Sequence, residues 1–150
     1  MERYRDYMVQ ALELAREAGS RGDVPVGALV IREGQIVGRG CNRREADCDV
    51  TAHAEVLALR EACRNLGTWK LQDCTLVVTL EPCPMCAGAI LNARVGTVVF
   101  GARDPAFGAV GGVLNLFEEA FPHRPRVYGG LMEAECAAPL KALFADMREV

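Results

Sequence analysis

The sequence predicts an α/β fold, a three-layer α/β/α sandwich in which helices cover both faces of a mixed five-stranded sheet. Three observations carry that expectation. The elements read in the order αββαβαβ(β)α, which alternates strands with helices. Residues 75–80 form a continuous β-branched run, as in a strand covered on both faces. With 150 residues and 51% hydrophobic content, the chain fits a single domain, 1–150, burying roughly 68–70% of its unfolded surface.

Residues 3–19 place Met8, Leu12 and Ala15 at helical spacing, with Tyr4, Val9 and Ala11 alongside and Gly19 as a C-cap. Residues 24–31 and 35–40, joined by Arg32-Glu33-Gly34, read as a hairpin of one buried and one edge strand. The polar stretch 41–50 reads as a loop. A second helix is expected over 52–66, with Ala52, Val56, Leu59 and Cys63 as its buried stripe and Gly67 closing it. After the strand at 75–80 comes a helix from Pro84 to about Ala93, its proline suited to the first helical position. Residues 95–100 make the next strand. A glycine-rich loop follows, with a short segment at 114–120 and a final short strand at 126–128. Residues 132–147 read as a last helix with Leu140, Phe144 and Met147 in its stripe and Pro139 bending it or sitting near its first turn. The glycines at 108–112 and 129–130 lack the order of a phosphate cradle and read as loops and caps.

The chemistry gathers at two helix starts. In Pro82-Cys83-Pro84-Met85-Cys86 the two thiols lie three residues apart, on one face of a first helical turn whose dipole favours thiolates. Thirty residues upstream, Thr51-Ala52-His53-Ala54-Glu55 begins the second helix. Mid-helix, His53 and Glu55 would point about 200° apart, so both face one metal only from a first turn, capped by Asp49 or Thr51. His53, Cys83 and Cys86 make the donor set of a catalytic zinc site with its fourth position left to water. Glu81 reads as a carboxylate complementing the helix dipole. A structural zinc module without turnover is the alternative. It needs a fourth protein ligand, for which Cys41, Cys48, Cys63, Cys74, Cys136 and His123 offer no motif spacing.

Composition bounds the setting. The net charge of −3 gives no overall pull towards nucleic acid, so any such binding must be local. Arg43, Arg44, Arg94 and Arg103 are phosphate candidates or simply a solvated arginine surface. The charged start Met1-Glu2-Arg3-Tyr4-Arg5-Asp6 is unlike a signal peptide, and no run approaches the ~18 apolar residues of a membrane span. Seven cysteines without framework spacing suit a reduced, cytoplasmic protein that stays off the membrane.

The His53-Ala54-Glu55 and Pro82-Cys83-Pro84-Met85-Cys86 pair resembles the zinc nucleobase and nucleoside deaminase signature. Further blocks, Asp23-Val24-Pro25-Val26-Gly27-Ala28, Asn42-Arg43, Thr79-Leu80-Glu81-Pro82-Cys83 and Phe100-Gly101-Ala102-Arg103-Asp104, resemble the tRNA-specific adenosine deaminase (TadA-like) branch of the cytidine/deoxycytidylate deaminase superfamily. That resemblance implies a cytidine-deaminase-like fold, a homodimer, one Zn2+ per chain, and conversion of the wobble adenosine of a tRNA anticodon loop to inosine. It implies His53, Cys83 and Cys86 as zinc ligands and Glu55 as proton shuttle. Asn42 would hydrogen-bond the flipped nucleoside, and Asp104 would sit in a loop beside neighbouring nucleotides. A free nucleobase or nucleoside such as guanine or cytosine, deaminated by the same centre, is the second enzymatic reading.

Overall fold

In the computed structural model, which describes residues 2–148, the sheet runs in the order β2-β1-β3-β4-β5. Strand β1 (Gly27–Arg32) turns into the edge strand β2 (Gln35–Cys41) as an antiparallel hairpin and pairs antiparallel with β3 (Cys74–Leu80). Strands β4 (Thr97–Ala102) and β5 (Arg126–Gly129) add on in parallel. The sheet is therefore mixed and five-stranded, as expected. Leu29, Val30, Leu76, Val77, Val78, Val98, Val99 and Phe100 fill its centre and are fully buried.

Glycines fix the two helical layers. A Cβ on Gly27 would meet the Ala11 carbonyl and Ala15 amide of α1 (Arg5–Ser20). On Gly40 and Gly38 it would meet the backbone of α3 (Ala54–Leu66), at Ala54 and Ala58. Gly40 pairs with Ala28, the neighbour of Gly27, and adjacent strand residues face opposite ways, so α1 and α3 lie on opposite faces. Helix α5 (Glu133–Arg148) shares the α1 face and presses Cys136 against Gly101; α4 (Pro84–Asn92) lies beside α3.

Several expectations need correction. Gly19 is not a C-cap: α1 runs on to Ser20, and Gly22 takes the left-handed turn at φ 87°. Val9 faces solvent. The loop after β2 contains a short helix, α2 (Arg44–Asp47), that no apolar pattern announces. The buried face of α3 is Ala54, Glu55, Ala58, Leu59 and Ala62, while Val56 and Cys63 are only half-buried. Small side chains face inward because β2 offers glycines there and the two backbones nearly touch. In α5, Leu140 and Cys136 are buried but Phe144 is exposed, and the Met147 side chain lies outside the described residues. Pro139 does sit inside that helix. No helix among the described residues is long and apolar enough to cross a membrane.

Candidate metal centre

Helices α3 and α4 begin at the same edge of the sheet. His53 is the N-cap of α3 and Cys83 the N-cap of α4, both in extended backbone, and neither side chain caps its own helix. Pro84 occupies the start of α4, its fixed φ suited to a position whose amide would have no helical partner. Cys86 lies in the following turn, fully buried. The cap expected from Asp49 or Thr51 does not form. Asp49 Oδ1 accepts instead from the Thr51 amide (2.9 Å) and hydroxyl (2.7 Å), closing its own turn. Neither N-cap side chain is spent on its own helix, and the two turn towards each other.

They converge. His53 Nδ1 lies 3.6 Å from Cys83 Sγ and 3.5 Å from Cys86 Sγ, and all three donor atoms fall within 4.8 Å of one another. Zn–N bonds of about 2.0–2.1 Å and Zn–S bonds of about 2.3 Å at a tetrahedral angle put N and S about 3.6 Å apart. The donor set and its spacing therefore fit zinc. A hydrogen bond from Cys86, with His53 alongside, brings Cys83 down to about 4, while that same bond and burial push Cys86 up. The hydrogen bond to Cys83 also raises His53.

Glu55 stands in the first turn of α3, 4% exposed and beside this cluster. Burial, then the negative field of Cys83, push its carboxyl up to about 7. A carboxyl so placed exchanges a proton near neutrality.

Asn42 is also buried, in the loop after β2. Its Oδ1 accepts from the Arg44 amide (3.0 Å), and the Arg43 amide donates to the Ala52 carbonyl (2.9 Å), next to His53. No hydrogen bond from Asn42 Nδ2 is found among the described residues. Behind it lies a residue the sequence reading left without a role: Asp23, fully buried, accepts from the Glu45 and Ala46 amides at 2.7 and 3.3 Å and so caps α2.

Asp104 is half-buried. Its Oδ1 accepts from the Ala106 and Phe107 amides, which makes it a turn former. Glu81 does not serve the α4 dipole. It is buried and bonds to amides of the 104–112 loop. Of the candidate phosphate binders, Arg43 is taken by Asp47 and Arg94 by the Leu91 carbonyl; Arg103 is exposed, with no ion pair among the described residues. His123 ties its loop to the Val95 carbonyl at 2.7 Å.

Comparison with known proteins places these features. A family model described as the cytidine and deoxycytidylate deaminase zinc-binding region matches residues 1–102. The tRNA-specific adenosine deaminase of Bacillus subtilis is 48% identical over 144 residues, 95% of this chain and 89% of that protein. The tRNA(Ile)-lysidine synthase of Deinococcus radiodurans is 53% identical over 142 residues, 94% of this chain, which spans only 24% of that longer protein. Among solved structures, one from a study of A-to-I editing by tRNA:A34 deaminases at the wobble position superposes with a TM-score of 0.86 at 44% identity. It covers 91% of this chain and 100% of its own.

Proposed function

The chain belongs to the cytidine and deoxycytidylate deaminase zinc-binding family, and on that premise we propose that it deaminates the wobble adenosine of a tRNA anticodon to inosine. One observation carries the reading. His53, Cys83 and Cys86 converge, with Glu55 buried beside them, in a chain whose near-full-length relatives include tRNA-specific adenosine deaminases.

In this reading His53 Nδ1 and the Cys83 and Cys86 thiolates hold one Zn2+ per chain. The ion, when bound, supplies Lewis acidity that makes water a nucleophile at neutral pH. Glu55 takes a proton from the attacking water and delivers it to the purine ring nitrogen, then takes the second proton from the new C6 hydroxyl and passes it to the departing amine. A C6–O bond forms, the C6–N bond breaks, and ammonia leaves. Asn42 donates its uncommitted amide to the nucleoside, which must leave the stack to reach the centre. Asp104 shapes the loop beside the flanking nucleotides, and exposed Arg103 next to it is placed for a phosphate.

Residues 1–150 are read as one deaminase domain. A groove of about 520 Å³ along α3 and α4, lined by Val56, Leu59, Cys63, Ala89 and Trp69, with Trp69 54% exposed, supports a homodimer across that face. Seven cysteines, none of them paired in a disulfide among the described residues, support a reducing, cytoplasmic setting.

The test is a side-by-side assay of the zinc-loaded protein on an anticodon stem-loop with adenosine at the wobble position and on free guanine, cytosine and adenosine. Inosine in the stem-loop with ammonia release is the expected result. Turnover of a free base with none on the RNA sinks the proposal.

A further inference from the structure

We propose that Glu81 is a positioning residue for substrate binding: its buried carboxylate latches the 104–112 loop to the strand end that carries Cys83, setting the rim of the site. The inference rests on the RNA-directed reading above for its substrate, though the latch itself is independent of it.

Glu81 is 2% exposed, and no cation pairs with it among the described residues. A buried carboxylate without a partner is costly, and here the partners are backbone amides alone. Oε1 accepts from the Asp104 amide at 3.1 Å; Oε2 accepts from Val110 at 3.0 Å and Gly112 at 2.8 Å. The flanking backbone joins in, with the Ala109 amide donating to the Pro82 carbonyl and the Glu81 amide to the Ala102 carbonyl, both at 2.8 Å. Two consecutive residues, Glu81 and Pro82, thus take up four amides of one loop.

The loop is shaped to wrap this group. A Cβ on Gly108 would lie 2.2 Å from Glu81 Oε2, and one on Gly112 would lie 2.1 Å from the Asp104 carbonyl that the latch holds in place. Only glycine fits at such distances. On its outer side the loop presents Phe107, 69% exposed, on the turn closed by Asp104 Oδ1, with exposed Arg103 just before it and Val113 just after. An apolar ring and a cation beside a site that receives an unstacked base are groups that bind single-stranded nucleic acid. The latch decides where they stand relative to the metal ligands, because Glu81 is only two residues from Cys83.

A purely architectural carboxylate would alter stability and nothing else. The experiment therefore separates binding from turnover in Glu81→Gln, which keeps the shape but replaces one acceptor with a donor. Zinc content should stay at one per chain. Amide exchange at Asp104, Val110 and Gly112 should accelerate, and KM for the stem-loop should rise about tenfold, the worth of roughly 1.4 kcal/mol, with kcat near wild type. Gly108→Ala disturbs the latch from the loop side and should give the same split, which covers the case in which Glu81→Gln does not fold. Unchanged exchange, unchanged KM, or a loss confined to kcat in either variant overturns the inference. If wild type ignores the stem-loop, the RNA reading fails separately; the exchange data and the KM for whichever base is accepted then decide the latch.

Discussion

Glu55 and Glu81 are the same side chain at nearly the same depth, 4% and 2% exposed, and the chain uses them in opposite ways. Glu81 accepts three amide hydrogens from one loop. Glu55 receives none from any loop among the described residues; burial outweighs its own amide and the Cys86 thiol and holds its carboxyl up at about 7. Depth is therefore not what makes a buried acid reactive. The supply of donors is: where three loop amides surround the carboxylate the group becomes a fastener, and where fewer donors offset burial it remains free to trade protons.

The largest effect that tests this contrast is on turnover. Glu55→Gln should lose about 10²- to 10⁴-fold in kcat while retaining one zinc per chain, read by ammonia release and metal analysis. Wild-type turnover in that variant would erase the distinction. Stability should run the other way: Glu81→Gln strands loop amides and should cost about 1–3 kcal/mol in urea unfolding, whereas Glu55→Gln removes a poorly solvated acid and should cost nothing. Equal costs would mean the two carboxyls are equally well satisfied. Of similar size, Gly40→Ala forces a Cβ within 2.3 Å of the Ala54 carbonyl, next to His53. It should cost about 1–3 kcal/mol and weaken zinc retention against a chelator as well. The smallest effect extends the rule to thiols. Burial pushes Cys74 up to about 11 and Cys136 up to about 12, so both stay protonated and slow to alkylate at pH 8, while exposed Cys48 labels readily. Peptide mapping after iodoacetamide reads the order, and early labelling of Cys136 would contradict it.

What the sequence disclosed, and what it withheld, follows from the range of the interactions. The strands at 75–80 and 95–100 and the helix after Pro84 were legible because apolar runs and a proline act locally. The candidate metal donors were legible because their spacing is itself the chemical requirement. The inward face of α3 was not. Large residues suggested Val56 and Cys63, yet alanines face in because Gly38 and Gly40 on another strand admit the helix backbone itself. The parts played by Asp23 and Glu81 were hidden for the same reason: their partners lie 22–31 residues along the chain, and a lone acidic residue carries no mark of which distant amides it will meet. The short helix α2 exists largely through such a partner.

His53 meets the sulfurs through Nδ1, the ring nitrogen nearer its own backbone. Used this way an imidazole reaches only two bonds beyond Cβ, and a cysteine reaches one, so all three donors stand on short stalks. Long side chains could swivel to follow an ion; these cannot. The place offered to the metal, and with it the size of ion that is comfortable there, is inherited directly from where two helices happen to begin, and any drift between those origins is felt in full by the bonds to the ion.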